Sequence, residues 1–481
     1  IMRENIKEIE NVFQSHSFSI DSIIQNVMKK FNFRSLCHQA GFKKQQGYSV
    51  TDIMTLLLLL PLMLITSVNA LYKSSYQNVS EMKKDTLYRL KNNERMPWRN
   101  LLLIVAKQFQ KLVNPDKEVS AKSAFILDDT IDIRTGRKIE KVTHVHDHVA
   151  GRKKSTLGFK NLTLGLFDGT SFTPLDFSLH AEKPLKQKYR KEQYTKKRVS
   201  QSNGAKRKKE CDVDKITSAL RMLKRAVKHG FKANYVLVDS WFPSKGFIST
   251  VRGIKNGAMH VICAMKKDFR KYTYNGQELN AKKLLKTLQT EGKEKRCRKR
   301  NTRYFEVTVY YAGIDETVKL YFCRFPYQKN WKLFLSTDES LTFLEMLEAY
   351  SARWTIEVFF KETKQLLRLG KCQSQDFDAQ IAHVTTTYIL YTFLAYFRRI
   401  NDYETLGGLF EEIKDQLVEK NIAERLWALF EELLDTVISA MTESGVVDIQ
   451  AFKTSPEYVQ IKELFDDSFL GKQLFQDDKV A

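Results

Sequence analysis

The residues best placed to do chemistry are a glutamate with polar neighbours at regular intervals. Tyr350, Arg353, Glu357, Lys361 and Lys364 follow one another at spacings of three, four, four and three residues. Helical periodicity brings side chains at these intervals to one face, so the pattern predicts a helix over this whole segment. That face would hold one carboxylate among groups that bind phosphate or hydrogen-bond to the acid. An ordinary solvated helix face with charged pairs is the alternative.

Two aspartates point to the chemistry that this glutamate could join. The apolar run 125–127 ends at Asp128, and the run 235–238 ends at Asp239, which predicts a carboxylate at the tip of each of two buried strands. With Glu357, three carboxylates would converge, and they would repel one another without a cation. Hard oxygen ligands select Mg²⁺ or Mn²⁺. Two such ions ~4 Å apart support in-line attack on a phosphodiester.

Together, these motifs resemble those of a known family. The spacing of Tyr350, Arg353, Glu357 and Lys364, the Trp354 that follows the arginine, and the two strand-borne aspartates resemble the cut-and-paste DDE transposases of bacterial insertion sequences. In particular, they resemble the family-four group, whose third acid lies in a Tyr-Arg-Glu-Lys signature. The resemblance covers about residues 124–364. It implies a ribonuclease-H-like core, catalytic and metal-binding roles for the three acids, and two bound Mg²⁺ (or Mn²⁺) ions.

The first acid has two candidates, because Asp128 and Asp129 are adjacent. Neighbouring residues of a strand face opposite ways, so only one of them can point at the metal ions. The family pattern, an aspartate, any residue and then Ser or Thr, matches Asp128 followed by Asp129 and Thr130. Asp128 is therefore our choice, and Asp129 is expected to be a turn or supporting residue.

Charge indicates a polyanionic partner. The 481 residues carry a net charge of +23, while the segment 401–481 holds 18 acidic and 7 basic residues, a net charge of −11. The preceding 400 residues therefore carry +34. This distribution favours double-stranded DNA as the partner of the main body and makes the acidic end a poor DNA-binding candidate. Charge alone does not separate nucleic acid from an anionic membrane surface.

One segment has the composition of a membrane helix. Residues 53–70 are almost wholly apolar and approach the ~20 residues needed to cross a bilayer. Pro61 and the polar residues near the end of this run favour a buried helix pair or a kinked core helix, so no membrane partner is expected. The six cysteines form no CxxC pair, and the first residues lack an apolar leader stretch. A cytoplasmic, nucleoid-associated protein is the expectation.

The fold expected is α/β, a ribonuclease-H-like core with a β-rich insertion between helical N-terminal and C-terminal regions. Asp168-Gly169 predicts a hairpin between strands 161–167 and 171–179, and Asp212 or Asp214 would cap a helix that runs to His229. The region 1–120 is predicted to be helical and to bind DNA, although a helical cap on the core is nearly as plausible. The remaining boundaries separate the two core parts, the insertion and the acidic region: 121–256, 257–337, 338–400 and 401–481.

The sequence also predicts the strands of the insertion and the surroundings of two Lys- and Arg-rich runs. Strands are expected at 257–265, 304–311, 318–322 and 331–335, and Trp331 is more typical of a core residue than of a side chain that holds a flipped base. The runs 183–209 and 293–303 are so rich in Lys and Arg that solvated loops able to clamp phosphates are expected.

The function predicted is that of a DNA transposase. It would cleave transposon ends at their terminal inverted repeats and join them to target DNA, with a DNA hairpin as the family-implied intermediate and a homodimer as the family-implied assembly. Tyr350, Arg353, Lys361 and Lys364 would hold phosphates near the scissile bond. Two alternatives stay open: a structure-specific nuclease with the same core, and a non-enzymatic DNA-binding protein derived from a transposase.

Overall fold

The computed structural model describes residues 20–401, except 44–45, 75–79, 117–118, 148–154, 255 and 327, together with 408–409. Val27–Gly407 forms one compact unit. The second unit comprises Ile1–Asn26 and Gly408–Ala481 and is almost entirely outside the described residues. The acidic helical region predicted over 401–481 therefore lies almost entirely outside the described residues.

Helices make up the described part of the N-terminal region, as the sequence predicts. Ser49 begins the third of them with a reciprocal cap, since its hydroxyl accepts from the Asp52 amide at 3.1 Å and the Asp52 carboxylate accepts from the Ser49 amide at 3.2 Å. The helices are α1 (Ile20–Lys30), α2 (Phe33–Ala40), α3 (Val50–Leu62), α4 (Val68–Leu71), α5 (Lys84–Lys91) and α6 (Trp98–Val113).

The apolar run at 53–70 is divided between α3 and α4 rather than forming one long helix. Nearly every α3 side chain from Ile53 to Leu62 is buried, as expected of a core helix. Among the described helices, none is both long and apolar enough to cross a bilayer.

Twelve described strands form one mixed sheet, and helices lie between and after them. The strands are β1 (Ala124–Ile133), β2 (Thr143–His146), β3 (Ser155–Phe167), β4 (Phe172–His180), β5 (Tyr235–Val238), β6 (His260–Met265), β7 (Lys271–Tyr274), β8 (Gln277–Asn280), β9 (Lys295–Cys297), β10 (Thr302–Tyr311), β11 (Glu316–Arg324) and β12 (Lys332–Ser336). The remaining helices are α7 (Gln187–Lys191), α8 (Asn203–Glu210), α9 (Lys215–Lys228), α10 (Lys245–Gly253), α11 (Ala281–Thr290), α12 (Phe343–Ser351), α13 (Trp354–Gln365) and α14 (Phe377–Ile400).

The first half of the sheet has the spatial order β4-β3-β1-β5-β6. β3 pairs antiparallel with both β4 and β1, whereas β5 pairs in parallel with both β1 and β6. The hairpin predicted at Asp168-Gly169 is confirmed, with Phe167 opposite Phe172. The predicted helix before β5 is also confirmed: it is α9, and Asp214 caps it by accepting from the Thr217 amide at 2.8 Å.

The second half continues the same sheet in the order β6-β12-β11-β10-β7-β8. The four strands expected in the insertion are present as β6, β10, β11 and β12, and β6 pairs with β5 on one side and β12 on the other. No break therefore separates the two halves of the described sheet. Trp331 packs against the core beside Phe305, with ring centroids 5.1 Å apart, as a core tryptophan should.

The prediction that the basic run 183–209 is solvated is wrong for its central residues. Arg198, whose side chain is 3% exposed, pairs with Glu140 at 2.6 Å, Asp376 at 3.1 Å and Asp378 at 3.0 Å. Lys196 binds both aspartates, at 2.9 and 2.8 Å. The local excess of like charge is neutralised by acids that are distant in sequence. In the second run, 293–303, the basic side chains are exposed, as predicted. The prediction of loops is wrong in part for both runs, because α7 and α8 lie in or overlap the first and β9 lies in the second.

Candidate active site

The register of two strands places the two aspartates side by side. β1 and β5 are parallel neighbours with Leu127 opposite Val238, so Asp128 and Asp239 come next on each strand. Neighbouring strands lie ~4.8 Å apart. β5 ends at Val238, as expected, but β1 continues past Asp128 to Ile133 because its pairing with β3 extends that far.

Asp128 and Asp129 point to opposite faces of β1. Asp128 faces Arg353, whose Nη1 donates to its Oδ2 at 2.8 Å. Asp129 instead pairs with Lys215 of α9 at 3.1 Å and with the buried Lys160 at 3.7 Å. Only Asp128 is on the side of the sheet that the glutamate-bearing helix approaches. Its role in catalysis stays a prediction.

The prediction of one continuous helix over 350–364 is wrong. Tyr350 belongs to α12, while Glu357, Lys361 and Lys364 belong to α13. Across the junction the amides of residues 352, 353, 355 and 356 bond to the carbonyl three residues earlier, at 3.0–3.2 Å, instead of four. Ser351 and Thr355 hydroxyls also donate to carbonyls three residues back, a competition that bends helices.

Arg353, at this junction, connects two of the predicted acids. One guanidinium nitrogen donates to Asp128, and the other donates to Glu357 Oε1. The guanidinium thus lies between these carboxylates and neutralises part of their repulsion. Glu357 is brought to the same place as Asp128 and, through the β1–β5 pairing, to the vicinity of Asp239.

The electrostatics of Asp128 reflect this crowded and enclosed position. Burial raises the pKa of Asp128 to about 7; the charges of Asp239 and Asp129 add to the increase, and Arg353 opposes it. Buried carboxylates with a raised pKa occur both at functional sites and in structural ion pairs.

The other predicted phosphate-binding residues lie in different surroundings. Tyr350 is half-buried against Phe334, and its hydroxyl approaches the Val238 carbonyl at 3.4 Å. Lys364 donates to Thr130 Oγ1 at 2.5 Å, and burial lowers its pKa. Lys361 is exposed on α13. As the side chains stand, Lys361 is the most accessible of the four predicted DNA contacts, and Lys364 is directed at the β1 strand.

The three predicted acids have the kind of donor atoms that divalent cations prefer. Asp128, Asp239 and Glu357 offer only carboxylate oxygens, which suit Mg²⁺ or Mn²⁺ and not soft metals. Within the described ranges, no group of three His, Cys, Asp or Glu side chains is arranged to hold an ion in its present rotamers. Arg353 occupies the position between two of the acids. The donor chemistry of the three acids therefore fits divalent cations, whereas their present side-chain arrangement places Arg353 between two of them.

Two exposed tryptophans beside the site were not singled out by sequence reasoning as site residues. Trp241 is 45% exposed, donates its amide to Asp239 Oδ1 at 2.9 Å and lies 4.0 Å from the Lys215 ammonium. Trp354 is 62% exposed and follows Arg353. In the sequence, the signal was a tryptophan two residues after Asp239 and another directly after Arg353. Exposed aromatic rings of this kind can stack on bases.

Comparison with known proteins agrees with this geometry. Residues 58–286 match the family model described as DDE superfamily endonuclease. The match supports a DDE transposase-like family and indicates a metal-dependent nuclease or transposase. It includes Asp128 and Asp239 and ends before Glu357. A search of curated proteins found no match.

Proposed function

We propose that this chain is a DNA transposase of the family-four insertion-sequence type, acting by a cut-and-paste route. The observation that carries the proposal is the β1–β5 register, which sets Asp128 beside Asp239. Arg353 joins Asp128 to Glu357, so the third acid comes from a helix that follows the sheet. The β4-β3-β1-β5-β6 order, with its pattern of antiparallel and parallel pairs, supports a ribonuclease-H-like core.

Asp128, Asp239 and Glu357 would hold two Mg²⁺ or Mn²⁺ ions. Such ions, when bound, stabilise the charge that develops on the scissile phosphate and assist deprotonation of the attacking group. Arg353 would then exchange its carboxylate partners for a DNA phosphate, which its planar guanidinium can bind through two hydrogen bonds. Lys361, Tyr350 and Lys364 would hold the strand in position without reading its bases.

The proposed reaction begins with water attacking a phosphodiester at the transposon end, which releases a 3′-hydroxyl and a 5′-phosphate. That 3′-hydroxyl attacks the opposite strand, so the flanking DNA leaves and a hairpin forms. A second water opens the hairpin and regenerates the 3′-hydroxyl, which finally attacks target DNA. Each step exchanges one phosphorus–oxygen bond for another, so no oxidant or energy source is required.

The other regions would supply recognition and assembly. The helical region 1–120 would bind the terminal inverted repeats, and the acidic region 401–481 would contribute to a homodimer that holds two ends. The protein would act on the nucleoid in a bacterial cytoplasm. Basic side chains in 293–303 are exposed and would contact phosphates by giving up solvent-exposed ion pairs such as Lys295–Glu306 and Lys299–Glu348, whereas Arg198 is held in buried ion pairs.

A cleavage assay on denaturing gels tests the proposal. The substrate is DNA that carries the terminal repeats flanking the coding gene, and Mg²⁺ or Mn²⁺ is added. A metal-dependent nick followed by a hairpin-sized product, absent for Asp239→Asn and Glu357→Gln, is expected. Asp129→Asn is the matched control and should retain cleavage, because Asp129 faces α9.

Other outcomes identify the alternatives. Metal-dependent cutting without products joined to target DNA would favour the structure-specific nuclease. Binding of the terminal repeats without any metal-dependent cut, and without strand transfer from pre-cut ends, would contradict the proposed enzyme and favour a DNA-binding protein. Loss of DNA binding in Glu357→Gln would show that Glu357 has a structural role.

A further inference from the structure

Two loops at the edge of the sheet near Asp239 present exposed aromatic rings. β5 and β6 are parallel neighbours with Val238 opposite Cys263, so the chain leaves both strands at the same edge of the sheet. The loop 239–244 joins β5 to α10, and the loop 266–270 joins β6 to β7. We refer to these two loops together as the β5–β6 edge. It lies beside the proposed catalytic acid, because Asp239 is the first residue of one of its loops.

Trp241 is the first of the exposed rings. Its side chain is 45% exposed, whereas that of the next residue, Phe242, is buried. The Trp241 amide donates to Asp239 Oδ1 at 2.9 Å, and its ring meets the Phe242 ring edge-to-face with centroids 5.2 Å apart. The Lys215 ammonium lies 4.0 Å from the centroid of the indole. These contacts hold an accessible ring in one place, and such preorganisation lowers the cost of binding a planar ligand.

Phe269 is the second ring, and at 88% it is the most exposed large hydrophobic side chain in the described ranges. Its loop is anchored on both sides. The Arg270 amide donates to Asp268 Oδ1 at 3.1 Å, and Arg270 Nη1 pairs with Asp268 Oδ2 at 2.9 Å. Arg270 Nη2 donates to the Pro243 carbonyl at 3.1 Å, which connects this loop to the one that bears Trp241. Cover of either ring by a partner would remove apolar surface from water.

The charges at the β5–β6 edge favour a polyanion. Its two loops contain only two acids, the proposed catalytic Asp239 and Asp268, and Asp268 is paired with Arg270. Lys266 and Lys245, the residue that follows the first loop, are exposed and form no ion pair within the described part of the chain. Exposed aromatic rings next to unpaired ammonium groups are the combination by which proteins bind single-stranded nucleic acid.

We propose that the β5–β6 edge binds unpaired nucleotides at the end of the DNA, with bases stacked on Trp241 and Phe269 and phosphates near Lys245 and Lys266. The inference rests on the proposed function, because the hairpin step joins the two strands of the transposon end and the terminal base pairs must open for it. Every base has a face that can stack, so the edge accepts unpaired nucleotides of any sequence. It therefore selects DNA ends by how easily they open.

The test compares two DNA probes by fluorescence anisotropy, with the full chain in EDTA so that no cleavage occurs. One probe is a blunt duplex that carries the terminal repeat, and the other is the same duplex with a few mismatched base pairs at its end. The wild type should bind the mismatched probe about tenfold more tightly. Trp241→Ala and Phe269→Ala should each weaken Kd for this probe about tenfold, the equivalent of ~1.4 kcal/mol, and change Kd for the blunt duplex little.

Matched variants separate stacking from other effects. Trp241→Phe keeps an aromatic ring and should keep most of the preference for the mismatched probe. Phe269→Leu keeps an apolar side chain without an aromatic face, so it should lose the preference as Phe269→Ala does. Tyr194→Ala is the control, because it removes a ring that is 39% exposed outside both loops, and it should leave the preference unchanged.

Other results would overturn the inference in distinguishable ways. Equal affinity of the wild type for the two probes, or a preference that both alanine variants keep, would refute the stacking surface and leave the proposed function intact. Failure of the wild type to bind either probe would contradict the proposed function as well. Light scattering tests for a protein partner: if the alanine variants change the oligomeric state and not the preference, the rings contact a second copy of the chain instead of DNA.

Discussion

Replacing Asp128 with Asn should make the metal-free protein more stable at neutral and alkaline pH. Asp128 has a pKa of about 7 in the folded chain, compared with 3.8 for an unperturbed aspartate. The folded state thus binds the proton more tightly than the unfolded state. The resulting stabilisation is fully present below pH 3.8 and is lost as the pH rises through about 7.

The size of the effect follows from the two pKa values. The difference of about three pH units corresponds to ~4 kcal/mol at 1.36 kcal/mol per unit. Between pH 5 and pH 8 the wild type should lose ~2.5 kcal/mol that the variant does not lose. For a unit of roughly 380 residues, with an unfolding entropy of ~2.1 cal/mol/K per residue, this is about 3 °C in Tm.

Differential scanning calorimetry in EDTA at pH 5, 6, 7 and 8 measures this loss. The Tm of the wild type should fall about 3 °C further than that of Asp128→Asn over the series. The control is Asp129→Asn, which makes the same Asp-to-Asn change at the neighbouring position. It should lower Tm because it breaks the ion pair with Lys215. Parallel Tm curves for the wild type and Asp128→Asn would refute the reasoning, since Asp128 would then be ionised throughout the pH range.

Three further predictions concern stability and DNA binding. Arg198→Met should destabilise the fold by ~3–5 kcal/mol in urea unfolding, because three buried carboxylates lose a partner, whereas the exposed Lys197→Met should change little. Burial lowers the pKa of His383 to about 3, so the wild type should lose ~2 kcal/mol between pH 8 and pH 5 that His383→Gln keeps; equal acid sensitivity would contradict this. Lys361→Ala should reduce the salt dependence of DNA binding by ~0.9 in log-log slope, at unchanged Tm; an unchanged slope would remove Lys361 from the interface.

Local signals in the sequence predicted the elements that carry the site. Alternating residues around Asp168-Gly169 predicted the β3–β4 hairpin, and Asp214 marked the start of α9, because turns and caps depend on a few neighbouring residues. The ends of two apolar runs predicted that Asp128 and Asp239 lie close together. β5 does end at Val238, but β1 continues to Ile133, so the parallel β1–β5 register, and not a shared strand end, places the two residues side by side.

Features that depend on distant residues could not be predicted in this way. The partners of Arg198 include Asp376 and Asp378, about 180 residues further along the chain. A count of the charges within 183–209 could not include these acids, so it predicted a solvated side chain instead of a buried ion pair. The junction between α12 and α13 is another example, because the spacing of Tyr350 and Glu357 is compatible with an unbroken helix. The Ser351 and Thr355 hydroxyls donate to backbone carbonyls at the junction. The segment contains no Pro or Gly from which the sequence could have predicted the break in the helix.

The continuous sheet determines how forces pass through the molecule. β6 pairs with β5, next to the strand that bears Asp128, and with β12, which leads into β11 and β10. A load applied to the β10–β11 hairpin would therefore pass through the backbone hydrogen bonds of β12 and β6 to β5, the strand that ends just before Asp239. A hinge between the two halves would have to break a strand pair. A twist of the described sheet as a whole, by contrast, would keep every strand pair.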